Sequence, residues 1–300
     1  MTALSELNKK NSVPGVVSFE SHADDIVDMI VSNQYADARI CLYGAQITSF
    51  KPKNEPDILW MSSGSNFEVG KAIRGGIPVC FPWFGPHKTE FEKPQHGFGR
   101  LMIWDLTETA VLPNEETLIR LELCSSEATK LFWPYDFIAE IKVIIGKTLK
   151  ATLKVTNTSP THFEYTCALH TYYNISDIEA ITIDGLGGAV FHKHGEPGEF
   201  RQVTSLLEIH QSVDRHYHDT EVTCIISDSR FGRKILVNKS GSKVTTVWNP
   251  WVEGCAKMSD MPDDAYKTFI CVEAVNSFDD AIVLNPGESH ETSVIIGIVD

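Results

Sequence analysis

The sequence predicts an all-β protein, a large antiparallel β-sandwich with few short helices. Short runs of period-2 alternation recur along the chain with turn residues between them. No amphipathic helix longer than about three turns can be traced. No internal repeat, low-complexity tract or linker divides the 300 residues. Residues 1–15 therefore read as a flexible lead-in, and 16–300 as a single β-sandwich domain.

Residues 16 to 20 and 26 to 31 form an opening hairpin, and 39 to 50 two short strands broken at Gly44. Another strand is expected over 57 to 61. Residues 101 to 111 run into a turn at Pro113-Asn114, and in 117 to 124 Ile119, Leu121 and Leu123 oppose Arg120 and Glu122. The clearest alternation lies at 136 to 156. Phe137, Ala139, Ile141, Val143 and Ile145 share one face; past a turn at Gly146, Leu149, Ala151, Leu153 and Val155 do the same. One buried and one wetted face is the pattern of an antiparallel pair. Further strand-like runs lie at 163 to 174, 180 to 184, 221 to 227, 233 to 238, 243 to 248, 268 to 275, 281 to 284 and 290 to 299.

Composition narrows the function classes. A hydrophobic share of 42% with 22% charged residues is that of an ordinary globular protein. The apolar runs are too short to span a bilayer, and the N-terminus has no signal-peptide core, so no membrane partner is expected. Seven cysteines, an odd number without CxxC pairs, favour reduced thiols and a cytoplasmic location. A net charge of −14 argues against nucleic acid. It also disfavours a phosphorylated small molecule at long range, so such a substrate would need a local cationic cluster.

Residues 73 to 100 (IRGGIPVCFPWFGPHKTEFEKPQHGFGR) stand apart. Pro78, Pro82 and Pro86 exclude a regular helix or a central strand. Yet Ile77, Val79, Phe81, Trp83 and Phe84 are too apolar for an idle surface loop. A stiffened apolar loop with Arg74 and Arg100 at its ends could hold polar groups at the mouth of a pocket, or plug the core with its arginines in solvent.

IRGGIPVCFPWFG followed by QHGFGR resembles the signature of the hexose-6-phosphate mutarotases, or glucose-6-phosphate 1-epimerases, of the aldose 1-epimerase superfamily. ALHTYYNIS (168 to 176), VWNPW (247 to 251) and FICVEAVN (269 to 276) extend the match over most of the chain. The resemblance implies that superfamily's β-sandwich, and a monomer that equilibrates the α and β anomers of glucose 6-phosphate and similar hexose 6-phosphates. Opening the sugar ring requires a base for the C1 hydroxyl proton and an acid for the ring oxygen, with neither cofactor nor metal.

Glu273 is the candidate base. It lies in the apolar run FICVEAV, where alternation places it with Phe269, Cys271 and Val275. Desolvation there would cost several kcal/mol without a partner and would raise its pKa. A structural glutamate paired with arginine is the alternative; the resemblance implies the base. His170 shares a polar-leaning face with Glu164, Thr166, Ala168 and Tyr172; a lone strand histidine is more often a satisfied structural residue, and the resemblance implies the acid.

Arg74 and Arg100 would clamp a phosphate through bidentate guanidinium contacts. Gln95 and His96 would reach sugar hydroxyls, and the resemblance, through the related galactose mutarotases, implies His96 as a second candidate imidazole for the chemistry. Asp214, in SVDRHYHD, matches a substrate-binding position of the family. Trp248 and Trp251 could offer an aromatic wall or pack in the core.

Other features point to no chemistry. His192 with His194, in a Gly/Pro-rich loop over 192 to 199, and His216 with His218 have the i, i+2 spacing of a strand face but lack recognisable metal spacing, and read as solvated surface histidines. Gly185, Gly187 and Gly188 are not a phosphate-binding fingerprint, because no helix follows. Residues 259 to 264 (SDMPDD) read as an exposed loop bordering the site. Two rival functions stay open: a non-catalytic carbohydrate-binding sandwich, and an aldose 1-epimerase of unphosphorylated sugars.

Overall fold

The computed structural model describes residues 3–23 and 26–299. Two eight-stranded antiparallel sheets pack face to face, with a four-stranded sheet and a two-stranded ribbon beside them. The backing sheet runs Ile181–Asp184, Cys224–Asp228, Arg233–Ser240, Ser289–Val299, Thr148–Asn157, Phe137–Ile145, Thr117–Cys124, Asp105–Val111. The second, here the site sheet, runs Glu196–Arg201, Val190–Lys193, Val213–Tyr217, Val244–Asn249, Phe269–Asn276, Cys167–Leu169, Val79–Cys80. Tyr172–Asn174 also pairs with Phe269–Asn276.

The strand Phe269–Asn276 organises the molecule: all eight residues are buried. Ile270, Val272 and Ala274 face the main core, together with Leu153, Val294 and Ile296 of the backing sheet. Phe269 and Cys271 point the other way, into a cluster with Trp60 and Tyr172. Period-2 alternation carries Glu273 to that second face, away from the apolar interior between the sheets.

The strands expected at 117 to 124 and 136 to 156 form with the anticipated faces: Phe137–Ile145 alternates buried and partly exposed positions along its length. The proline-bearing stretch contributes only Val79–Cys80, an edge strand flanked by Pro78 and Pro82, as the missing amide donors require.

Three expectations are corrected, and one strand is added. In place of a flexible lead-in, Ala3–Asn11 is a helix, tied down where the Phe19 amide donates to Asn8 Oδ1 at 3.1 Å. Residues 57 to 61 make single bridges at Leu59 and Met61 instead of a strand, because Gly75 and Tyr173, their partners, belong to irregular or short segments. The Gly/Pro-rich stretch 192 to 199, read as a loop, lies within a hairpin, Val190–Lys193 with Glu196–Arg201, turning at His194 and Gly195. Val213–Tyr217 is a further strand of the site sheet. The turn of the opening hairpin, residues 24 and 25, lies outside the described residues.

Candidate active site

The outer face of the site sheet and residues 74 to 100 enclose a cavity of about 370 Å³. Arg74, Gln95, His96, Arg100, His170, Asp214 and Glu273 all line it, joined by Phe84, Thr246, Trp248, Met258 and Phe278. This volume lies at the lower end of the range usual for small-molecule sites.

His170 and Glu273 arrive on neighbouring segments. Cys167–Leu169 pairs with the end of Phe269–Asn276, and Tyr172 pairs with Cys271, so the bend at His170 falls beside Glu273. His170 Nδ1 lies 3.4 Å from Glu273 Oε1. Among the described residues, neither that nitrogen nor Glu273 Oε2 has a hydrogen-bond partner, although both are buried. Unpartnered buried polar atoms are rare, and here they belong to two residues that line the cavity. Burial, with Asp214 adding to it, pushes the Glu273 carboxyl well above the ordinary glutamate value. Burial, followed by the charges of Arg100 and Arg74, pulls His170 down to about 3. The imidazole ring is fixed by stacking on Tyr172, 4.9 Å between centroids and 8° from parallel.

His96 has left-handed backbone geometry, φ +64°. Its amide donates to the Gly85 carbonyl at 2.7 Å, while the Gly85 amide donates to His96 Nδ1 at 3.1 Å. Nδ1 therefore carries the lone pair, and a neutral ring holds its proton on Nε2. Burial, reinforced by Arg100 and His170, keeps the ring neutral by lowering its pKa well below the usual histidine value. His96 is thus built to donate a hydrogen bond. Next to it Gly97, at φ +74°, lets the chain cross Phe81: a Cβ there would lie 2.1 Å from the Phe81 carbonyl oxygen.

The two arginines differ. Arg74 is held on three sides: Nε and Nη2 reach Asp260 Oδ2 at 3.1 and 3.0 Å, and Nη1 reaches the Tyr172 hydroxyl at 3.1 Å. Arg100 Nη2 donates to the Gln95 carbonyl at 2.8 Å, whereas its buried Nε has no partner among the described residues. Asp260, in the acidic stretch expected to border the site, is thus the counter-charge of Arg74.

Asp214 lies across the strand pair from Trp248, and burial pushes its carboxyl up to about 6. Trp248 lines the cavity, but Trp251 packs on Tyr266 with ring centroids 5.0 Å apart, so only the first belongs to the site. The histidine pairs need correction as well. His216 is buried, 8% exposed, and its Nδ1 lies 2.8 Å from Thr246 Oγ1. His192 Nδ1 sits 2.6 Å from His218 Nε2. Only His194 is solvated as expected, and it too lines the cavity. Strand spacing held the signal for this; burial of the strand could not be read from it.

One further donor set is His170, Cys271 and Glu273. Burial and the nearby Glu273 push the Cys271 thiol well up, away from the thiolate that a soft metal takes.

Fold and cavity together define an acid–base pocket with a cationic side, carried on a large antiparallel β-sandwich. The aldose 1-epimerase family pattern matches residues 29–297, and the chain belongs to that family. An Escherichia coli protein provisionally named glucose-6-phosphate 1-epimerase is 35% identical over 267 residues, covering 89% of each chain. A plant relative from Cenchrus ciliaris with the same provisional name is 32% identical over 87% of this chain and 81% of its own. A crystal structure from Salmonella typhimurium, provisionally described as a mutarotase, superposes with a TM-score of 0.89 at 32% identity, covering 97% of this chain and 96% of that one.

Proposed function

We propose that this protein interconverts the α and β anomers of glucose 6-phosphate and similar hexose 6-phosphates by opening and reclosing the sugar ring. The observation that carries the reading is the meeting of His170 and Glu273, 3.4 Å apart, in a cavity that also receives Arg74 and Arg100. The names of the Escherichia coli and Cenchrus ciliaris relatives support the same substrate.

In this reading Glu273 takes the proton of the C1 hydroxyl while His170 gives one to the ring oxygen. The C1–O5 bond breaks as the C1 carbonyl forms. Rotation about C1–C2 presents the other face of the aldehyde, and closure returns both protons with the roles reversed. A raised carboxyl value makes Glu273 a stronger base once ionised. Arg74 and Arg100 grip the phosphate, and the His96 Nε2 proton, Gln95 and Asp214 meet sugar hydroxyls. Trp248 faces the C–H side of the ring. The seven thiols, six of them buried, support a reducing, cytoplasmic setting.

The test is anomer exchange of glucose 6-phosphate, followed by polarimetry from a pure anomer. Acceleration over the uncatalysed rate is expected. Free glucose turning over as fast as its 6-phosphate would remove the arginines from the reading. Binding without acceleration would leave a carbohydrate-binding sandwich in its place.

A further inference from the structure

We propose that His194, Asp214 and His216 form a binding site for a zinc-class divalent ion at the rim of the cavity, and that the ion closes the cavity to sugar. One donor atom from each of the three lies within 4.8 Å of the other two. Zinc bound tetrahedrally at about 2.0–2.1 Å from nitrogen or oxygen separates its ligands by about 3.3–3.4 Å. His216 Nε2 and Asp214 Oδ1 are already 3.3 Å apart.

The sheet builds this set. Asp214 and His216 are two apart on one strand and so share a face. The amide of His194 donates to the Asp214 carbonyl at 3.0 Å, which anchors the hairpin turn beside them. The other ring nitrogen of His216, Nδ1, is held by Thr246 Oγ1 at 2.8 Å, the outer-shell contact that orients a metal-binding imidazole. Its ring is confined by Phe278, 5.0 Å away between centroids, and Phe84 at 6.1 Å. His194 is exposed and follows the last strand residue, Lys193, into a turn with Gly195 at φ +77°, leaving its ring free to complete the triangle.

Two imidazoles and one carboxylate suit zinc or its neighbours, not magnesium or calcium, which take oxygen ligands. A fourth coordination position would open into the cavity that the three residues line. An ion there engages Asp214 and occupies the space of the sugar.

Zinc chloride is titrated into the full chain by calorimetry, and cobalt chloride is followed by its visible absorption, for wild type, His194→Ala and His216→Gln. One ion per chain is expected, with each substitution weakening affinity about tenfold or more. Neither readout depends on activity. A second arm, which rests on the function proposed above, measures anomer exchange: zinc should compete with glucose 6-phosphate. His194→Ala should keep more of its own zinc-free activity when zinc is added than wild type keeps of its own. No zinc binding by wild type, or wild-type affinity retained by both variants, overturns the site. Binding lost only in His218→Ala moves the ion to the His192–His218 pair and overturns it equally. Zinc bound without loss of activity removes the closing role.

Discussion

Glu273 faces His170 across 3.4 Å, and one oxygen of the carboxyl is buried with no hydrogen-bond partner among the described residues. An unpartnered buried carboxyl costs stability, a cost that the proposed role as base would explain. Glu273→Gln should lower turnover of glucose 6-phosphate by about 10²–10⁴-fold, the span of general acid–base catalysis, with an unchanged or higher melting temperature. The wild-type folded chain holds this proton more tightly than the unfolded chain does, because the native value is raised. Wild-type stability therefore falls as pH climbs from the ordinary glutamate value toward the raised one, and the substitution flattens that slope. Activity runs the opposite way and rises with pH as the base ionises. A variant with near-normal turnover would remove Glu273 from the mechanism.

Phosphate should act on the chemistry as well as on binding. Burial and the charges of Arg100 and Arg74 keep His170 uncharged in the free protein. A dianion resting on both arginines cancels part of that field and raises the imidazole's proton affinity when the ring oxygen needs a proton. Anomer exchange of free glucose should be slow, and severalfold faster with added inorganic phosphate. Arg74→Ala and Arg100→Ala should abolish the enhancement. Purely inhibitory phosphate would contradict this coupling.

Asp260 holds Arg74 in position and offsets its charge. An asparagine keeps an oxygen for the guanidinium but drops the opposing charge, while Tyr172 still holds Nη1. Asp260→Asn should therefore lower KM for glucose 6-phosphate by about threefold or more, since a unit charge nearby is worth a few kcal/mol before screening. Asp260→Ala loses the orientation too and should raise KM. Steady-state kinetics on the two variants separate charge from geometry; equal shifts in one direction would refute the distinction.

Gly97 is the most constrained position next to the site. At its φ of +74°, an added Cβ would come within 2.1 Å of the Phe81 carbonyl oxygen, which leaves no room for alanine. Gly97→Ala should cost roughly 3 kcal/mol or more in urea unfolding, through strain combined with a backbone clash. Activity should fall with it, because Gln95, His96 and Arg100 ride on the same segment.

Wherever one face of a strand is wet, its pattern was legible: Phe137–Ile145 and Thr148–Asn157 follow directly from the alternation of their residues. Glu273 stood out because a lone carboxylate among apolar neighbours is costly wherever it lands. The hairpin from Val190 to Arg201 was obscured by Gly195 and Pro197, which suggest a loop; the proline is tolerated because Glu196–Arg201 is the sheet's edge. The grip of Asp260 and Tyr172 on Arg74 joins distant parts of the chain and leaves no local pattern at all. Burial of His216 depends likewise on Phe84 and Phe278 arriving from elsewhere.

With both sides of Phe269–Asn276 packed, slipping its ladder by one residue would drive the Glu273 carboxylate into the hydrocarbon interior and turn Ile270 or Val272 outward. With Glu273 as the proposed base, misaligned chains would be catalytically silent as well as unstable. Recovered turnover after dilution from denaturant is consequently a gauge of how many molecules have regained the native alignment, with no spectroscopic label required.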